Sequence, residues 1–528
     1  MKAIIACILL IASFASLSHS QPLSRSSRWI IDEESGERVK LACANWPGHL
    51  KPMLPEGLDK RPLSEIASHI ANMGFNCVRM TWATYMFTRH ANMTVAQSFG
   101  DLGLNNSIAG LTQHNPNLLS LSLVDAHKAV IEEVGRHGIM MVLDNQVSEP
   151  MWCCANEDGN GFFGDKYFDP KEWLQGLATV ASLYKDTPMV VGISLRNELR
   201  GPLQDEGVWY KNIEKGARTV HRANPKLLVI ISGLDYDLDF RLLKKKPLGL
   251  HMMRKKLVYE THRYAFSEGQ SKMWKAGPLN KVCYNITQEM EEKEGFLIRG
   301  KDGAPLFVSE FGIDQTEMSE ADNLHLPCIL AYLADKDLDW AVWALQGNYY
   351  FRQGKRDMEE TYGMFNANWT ALRNPTYHSK LEFLQNKLQD PRSSEATYYL
   401  LYHPLSGKCA RVDSGRLHMS DCLGASRWAH GADGMPISLL GMSACLTAER
   451  DGLPATLSGH CMNEGSTWNL ASMLQLANKG NDGVELCLDY DSSYSSSLIL
   501  TRKCVGLKEG DMRNPQTQWF KLIASNVK

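Results

Sequence analysis

The chain has 528 residues, 44% of them hydrophobic and 22% charged, with a formal net charge of -3 and a pI near 6.6. That length allows two or three domains and a sizeable core. The near-neutral charge excludes the basic signature of a nucleic-acid binder and of polybasic attachment to a membrane surface.

Residues 1–20 read as a secretory signal peptide: Lys2 supplies the positive start, 3–17 an apolar core, and Ser18 and Ser20 the small residues before Gln21. The apolar run is short for a membrane anchor, and no later stretch is long and apolar enough to cross a bilayer. The expectation is a secreted protein, extracellular or in a cell wall, with no membrane association after cleavage. Of 13 cysteines, Cys7 leaves with the signal. The other twelve divide evenly: Cys43, Cys77, Cys153, Cys154, Cys283 and Cys328 lie before 330, and Cys409, Cys422, Cys445, Cys461, Cys487 and Cys504 after 400. In an oxidising compartment this predicts two separately bridged domains. No pair has the CxxC spacing of a zinc site, so no metal is expected. Asn92, Asn105, Asn285 and Asn368 begin N-glycosylation tripeptides.

Taken in chain order, eight apolar runs read as strands: 39–44, 76–80, 140–144, 190–195, 228–232, 257–261, 306–309 and 340–344. Helical patterns lie between them at 63–72, 123–136, 172–184, 208–223 and 323–335, and 366–387 supplies a closing helix. Strands alternating with helices predict βα units, and eight of them predict a (β/α)8 TIM barrel spanning 21–383. The long segments 83–122 and 147–169 then become loops shaping a cleft on its catalytic face.

Two of these strands end in glutamates. The run VVGIS of 190–194 leads into Leu195, Arg196, Asn197 and Glu198, and LFVSEFG of 306–312 carries Glu310. Two carboxyls at the mouth of one barrel are what glycosidic cleavage needs, one to protonate the leaving oxygen and one to attack the sugar carbon. Arg79 in NCVRM, His262 and Tyr264 in YETHRY, and Trp343 in WAVWALQG fall at the same predicted face. Together these spellings resemble glycoside hydrolase family 5, the cellulase family of clan A. The resemblance implies that Glu198 is the acid/base and Glu310 the nucleophile of a retaining reaction. It implies that Arg79 steadies the nucleophile, Asn197 holds the sugar 2-hydroxyl, His262 and Tyr264 line the site, and Trp343 is a sugar platform. A β-linked glucan or mannan is the implied substrate, with no metal or organic cofactor. The carboxyls should lie about 5–5.5 Å apart. Arg79 should keep Glu310 ionised, and the charge of Glu310 should keep Glu198 protonated. One departure stands out: where the family carries a histidine after strand three, this chain has LDNQ, so Asn145 and Gln146 become candidate sugar-binding amides. A transglycosylase would use the same two glutamates, and a catalytically silent glycan-binding protein is the other alternative.

Residues 384–396, LQNKLQDPRSSEA, read as a linker. Beyond it, 397–526 is all-β in composition with a threefold repeat. Cysteine couples recur at similar spacings, 409/422, 445/461 and 487/504, followed by Trp428, Trp468 and Trp519. This resembles the ricin-B lectin β-trefoil, with its Gln-x-Trp motif worn down to SRW, STW and TQW. The resemblance implies that each couple is a lobe-internal disulfide and each tryptophan packs into a shared core. It implies a sugar-binding aspartate after a lobe's first cysteine. Asp489 fits best, with Tyr490 and Tyr494 as stacking faces; Asp413 fits less well, and the second lobe, CLTAE, has none. One weak sugar site is expected, or else a trefoil that packs without binding. The expected assembly is a monomer.

Overall fold

A computed structural model describes residues 22–479, 483–492 and 496–528. The predicted signal peptide and Tyr494 lie outside the described residues. Eight parallel strands close into a barrel: Ala42–Trp46, Cys77–Ala83, Met140–Val147, Val190–Ser194, Leu228–Ser232, Leu257–Arg263, Leu306–Phe311 and Asp339–Val342, the last pairing with the first. Each predicted strand is present; Leu228–Ser232 keeps its predicted bounds and the other seven have shifted ends. The first starts only at Ala42, because Arg38 and Lys40 turn inward to form buried ion pairs with Asp337. The eighth stops at Val342, leaving Trp343 just past it.

The strands are buried on both faces, which is why they read as near-continuous apolar runs. Inside the barrel, Cys43, Cys77, Val142, Leu228, Ile230, Val258, Phe307 and Ala341 form one cluster. A hairpin, Leu23–Ser26 with Trp29–Asp32, contributes Leu23 and Ile30 to that cluster and plugs one end of the barrel. The Cys43–Cys77 disulfide joins the first two strands. Closing a loop of 34 residues is worth about 3–4 kcal/mol on the chain-entropy account.

Helices Leu63–Asn72 and Leu123–Arg136 match their predicted bounds. Pro170–Leu183, Glu206–Ala223 and Glu320–Lys336 each begin two or three residues earlier, at side-chain caps from Asp169, Asp205 and Ser319. Leu279–Lys293 is a helix missing from the sequence reading, although Leu279, Val282, Cys283, Ile286 and Met290 keep helical spacing on its buried face. The segment 83–122 is no bare loop. It holds Thr84–Thr88, Val95–Asp101 and Asn105–His114, the second started by a capping box of Thr94 and Gln97. The four N-glycosylation asparagines are exposed.

The C-terminal region is all-β, and its first strand, Tyr398–His403, pairs antiparallel with its last, Lys521–Ser525. Disulfides join Cys409–Cys422, Cys445–Cys461 and Cys487–Cys504. Trp428 and Trp468 sit in the core of this region. The expectation that all three tryptophans share that core is corrected by Trp519. Its indole packs in the cluster continuous with the barrel and donates to Asn280 Oδ1 at 2.8 Å. The expected linker is likewise no loose tether. Leu384 and Leu388 are buried, the Leu384 carbonyl accepts from Trp340 Nε1, and the N–H groups of Leu388 and Gln389 donate to Asp337.

Candidate active site

Strand alternation decides which side chains meet at the mouth of the barrel. Val142 faces the interior, so Asp144 and Gln146 share its face and Asn145 points away. By the same rule Val258, Glu260 and His262 point inward on the sixth strand.

Glu310 and Glu198 both reach this mouth, each lining a cavity of about 630 Å³. Glu310 Oε1 accepts from Arg79 at 2.9 Å and Oε2 from the Tyr264 hydroxyl at 2.9 Å. His262 Nδ1 lies 2.9 Å from Glu198 Oε1 and 3.7 Å from Glu310 Oε2, so one imidazole bridges the two glutamates. Carboxylate oxygens of Glu198 and Glu310 and a ring nitrogen of His262 all lie within 4.8 Å of one another. The other His262 nitrogen meets Ser309 Oγ at 3.1 Å and stands 3.6 Å from Asp237.

Glu198 is held in an unusual backbone conformation, with φ of 42°. This left-handed region costs a side-chain-bearing residue about 1–2 kcal/mol. Two contacts hold it there: the Glu198 N–H donates to Asp237 at 3.0 Å, and Arg200 donates to the Glu198 carbonyl at 2.7 Å. Asp237 closes a run of three left-handed residues, Asp235, Tyr236 and Asp237.

The electrostatics follow from burial against charge. Burial pushes the Glu310 carboxyl upward, and the charge of Glu198 adds to this, while His262, Arg79 and the Tyr264 hydroxyl pull it back. Sequence reasoning assigned that task to Arg79 alone. Burial opposes the charged form of His262, but Glu310, Glu198 and Asp237 overcome it and push the ring up to about 9. Below that pH His262 carries both protons, so each ring nitrogen is a donor. Its place between two glutamates therefore suits charge balance and proton traffic. Burial, reinforced by Glu310, drives the Tyr264 hydroxyl well above its usual value, so it stays a donor. Arg79 is fully buried, yet Asp144, Glu260 and Glu310 hold it charged. Asp144, 2.9 Å from Arg79, is pushed up to about 7 by burial.

Of the residues singled out in the sequence, Glu198, Glu310, His262, Tyr264, Trp343 and Gln146 line the cavity. Three do not. Asn145 is corrected from a sugar contact to a buried bracket: its amide donates to Thr84 Oγ1 at 3.0 Å and accepts from Arg196 at 3.1 Å. Asn197 is fully buried, its oxygen taken by Arg79 and its nitrogen 3.6 Å from the sulfurs of Cys153 and Cys154. Arg79 reaches no substrate space and acts through Glu310. In the C-terminal region, Asp489 is only 7% exposed and takes a hydrogen bond from Thr517. Its expected place in an open sugar site is corrected accordingly. Tyr490 stacks edge-on against His403.

The cavity wall also contains residues that motif reading missed. Trp152 and the adjacent disulfide Cys153–Cys154 come from the loop after the third strand. Tyr236 comes from the loop after the fifth strand, and Arg352 and Tyr362 from the segment after the eighth. Clustered aromatic letters in long catalytic-face loops were the available signal. A cation-bearing ring bracket fixes Trp152: the Arg352 guanidinium lies 3.3 Å over its ring and Tyr349 meets it edge-on.

A family model for cellulase (glycosyl hydrolase family 5) matches residues 34–349. A glycosyl hydrolase 5 family protein of Chamaecyparis obtusa is 44% identical over 537 residues, covering 98% of this chain and 96% of the relative. An endoglucanase of Paenibacillus polymyxa is 20% identical over 367 residues, covering 65% of this chain and 83% of its own length. Among solved structures, a hyperthermophilic endocellulase of Pyrococcus horikoshii matches with a TM-score of 0.57 at 18% identity, over 70% of this chain and 100% of that one. The catalytic domain of the major endoglucanase of Xanthomonas campestris pv. campestris matches with a TM-score of 0.56 at 22% identity, over 69% and 99%. The two structural likenesses bear on the barrel alone. With the family match over more than half its length and a relative aligned along nearly all of it, the chain belongs to glycosyl hydrolase family 5 and is a glycoside hydrolase.

Proposed function

We propose that this enzyme cleaves a β-linked glycan of the glucan or mannan type with retention of anomeric configuration. The observation that carries the reading is the spacing of the two carboxylates, whose oxygens approach within 4.8 Å. Retaining enzymes hold their carboxyls about 5–5.5 Å apart, whereas inverting ones need about 6.5–9.5 Å to admit a water. Glu310, fixed by Arg79 and Tyr264, attacks the anomeric carbon and forms an ester to the sugar. Glu198 gives its proton to the departing glycosidic oxygen. In the second step Glu198 takes a proton from water, the water oxygen attacks the same carbon, and the Glu310 carboxylate leaves. His262, charged below about pH 9, balances whichever glutamate is ionised. The substrate class follows from the endoglucanase relatives and from the cavity, whose aromatic residues Trp343, Trp152 and Tyr264 suit the apolar faces of sugar rings.

The 20-residue leader, the disulfides and the exposed N-glycosylation tripeptides support secretion. The three lobe-internal disulfides support reading the C-terminal region as a ricin-B-like β-trefoil. The burial of Asp489 favours its packing role over a lectin role.

Glu310→Gln should lower kcat about 10³-fold or more with the fold intact. Glu198→Gln should cost about 10²–10⁴-fold on unactivated oligosaccharides and much less on aryl glycosides, whose leaving groups need no proton. Equal losses of Glu198→Gln on both substrate types would contradict the acid role.

A further inference from the structure

Five of the disulfides among the described residues join cysteines 13 to 45 positions apart, whereas Cys153–Cys154 joins neighbours in the chain. A bond between adjacent residues encloses almost no loop, so it constrains the unfolded chain little. Chain stability therefore gains least from this bond, yet it sits closest to the chemistry, since both cysteines line the catalytic cavity.

Its neighbours tie it to both glutamates. Asn197 Nδ2 lies 3.6 Å from each sulfur. The Asn197 oxygen accepts from Arg79 Nη2 at 2.9 Å, and Arg79 Nη1 donates to Glu310 Oε1 at 2.9 Å. Glu198 follows Asn197 in the chain, and one of its carboxylate oxygens and the two sulfurs all lie within 4.8 Å of one another. The flanks of the pair are fixed. On one side Arg352 and Tyr349 hold Trp152. On the other, the Ala155 carbonyl accepts from Arg200 at 3.0 Å and the Ala155 N–H donates to Asp158 at 3.0 Å. A change in the shape of the pair therefore passes to Asn197, Glu198 and the cavity.

The pair is also open to a reagent. Cys153 is buried, but Cys154 is partly exposed and also lines a second cavity of about 460 Å³ beside the first. The other two barrel disulfides, Cys43–Cys77 and Cys283–Cys328, are buried at both ends. Thiol–disulfide exchange depends on access to the sulfur attacked.

We propose that Cys153–Cys154 is a reducible site and that a dithiol opening it turns the enzyme down. One thiolate of the dithiol attacks Cys154 Sγ, the bond between the two sulfurs breaks, and Cys153 leaves as a thiolate that takes a proton. The second thiol of the reductant then displaces Cys154, which takes the other proton, and the reductant departs as a disulfide. Two electrons and two protons pass to the enzyme. The sulfurs are then no longer held at a bond length of about 2.05 Å, and each S–H is a donor. Both lie beside the carboxyl of Glu198, which must itself donate to the leaving oxygen. The proposal rests on the two-glutamate reading above and adds a control to that site.

The test assays the full chain on cellohexaose and on an aryl β-cellobioside when oxidised, after dithiothreitol, and after reoxidation. Free thiols are alkylated at each stage and mapped by peptide mass spectrometry. Reduction should lower kcat on cellohexaose about tenfold, within the range a small misplacement produces. The loss should be smaller on the aryl glycoside, whose leaving group needs no proton. It should follow labelling of Cys153 and Cys154, precede labelling of the two buried barrel disulfides, and reverse on reoxidation. Cys153→Ser/Cys154→Ser should share the kcat of the reduced enzyme, ignore dithiothreitol, and unfold in urea close to the oxidised wild type. Full activity with the pair labelled, or a loss that follows only the C-terminal cysteines, would overturn the proposal, and labelling of the wild type decides this even if the double variant fails to fold. Early labelling of the pair in a protein that cleaves neither substrate when oxidised would keep the reducible site and remove the proposed substrate.

Discussion

At the scale of single residues, Glu198 is set by two charged neighbours that no motif singled out, Asp237 and Arg200. Asp237 accepts its backbone N–H and also faces His262. Asp237→Ala should therefore release the left-handed backbone and lower kcat by about 10–100-fold, the size of effect a small misplacement produces. It should also move the basic limb of the pH profile downward, because one of the anions holding the His262 proton is gone. Asp237→Asn keeps an acceptor for the Glu198 N–H and should recover kcat in part while leaving the limb shifted. A variant with lower kcat and an unmoved limb would make Asp237 merely structural. His262 gives a second, independent readout. Its folded pKa of about 9 lies above the unfolded 6.5, so its contribution to stability is complete below pH 6.5 and is lost as pH rises through 9. The difference corresponds to about 3 kcal/mol. Urea denaturation at a series of pH values should show the wild type weakening across that window, and His262→Gln should lack that decline.

At the scale of elements, the strands were the legible part. The place of Glu198 and Glu310 at the barrel mouth was legible because a buried parallel strand is an apolar run, and a carboxylate at its end stands out against it. The same strands held more than was read from them. Counting by twos from Val142 puts Gln146 on the interior face and Asn145 off it, so the two adjacent amides were separable in the sequence. The walls were not legible. Trp152 is held by Arg352 and Tyr349, some two hundred residues away, and packs against Tyr264 and Trp343, and no local pattern encodes such pairings. The same holds for the linker. Its polar composition suggested a tether, but Asp337 gathers Arg38, Lys40 and the N–H groups of Leu388 and Gln389 into one buried knot. The C-terminal disulfides agree with the pairing that the family resemblance implied. That resemblance could not show that Asp489 folds inward onto Thr517 at the far end of its own lobe, or that Trp519 turns toward Asn280 of the barrel.

At the scale of the whole molecule, the barrel and the C-terminal region share one continuous apolar cluster that runs from the barrel helices through Tyr398, Tyr402 and Trp519. Asn280 pins this junction, accepting from Trp519 Nε1 and donating to Gln475 Oε1 and the Gly506 carbonyl. Asn280→Ala removes these hydrogen bonds, leaves the Trp519 indole N–H and the Gly506 carbonyl without their Asn280 partner, and should destabilise by about 1–3 kcal/mol. In urea, tryptophan fluorescence and far-ultraviolet dichroism should still report one shared transition in the wild type; two separate transitions would mean that the regions stand independently. The proposed double displacement comes down to one bond, the ester it would form between Glu310 and the sugar. A 2-deoxy-2-fluoro β-cellobioside with a good leaving group should trap it, since the fluorine slows the second step more than the first. Peptide mass spectrometry of the inactivated enzyme should then find one glycosyl group per chain, carried by Glu310. Rapid turnover with no adduct, or an adduct on any other residue, would contradict the two-glutamate account.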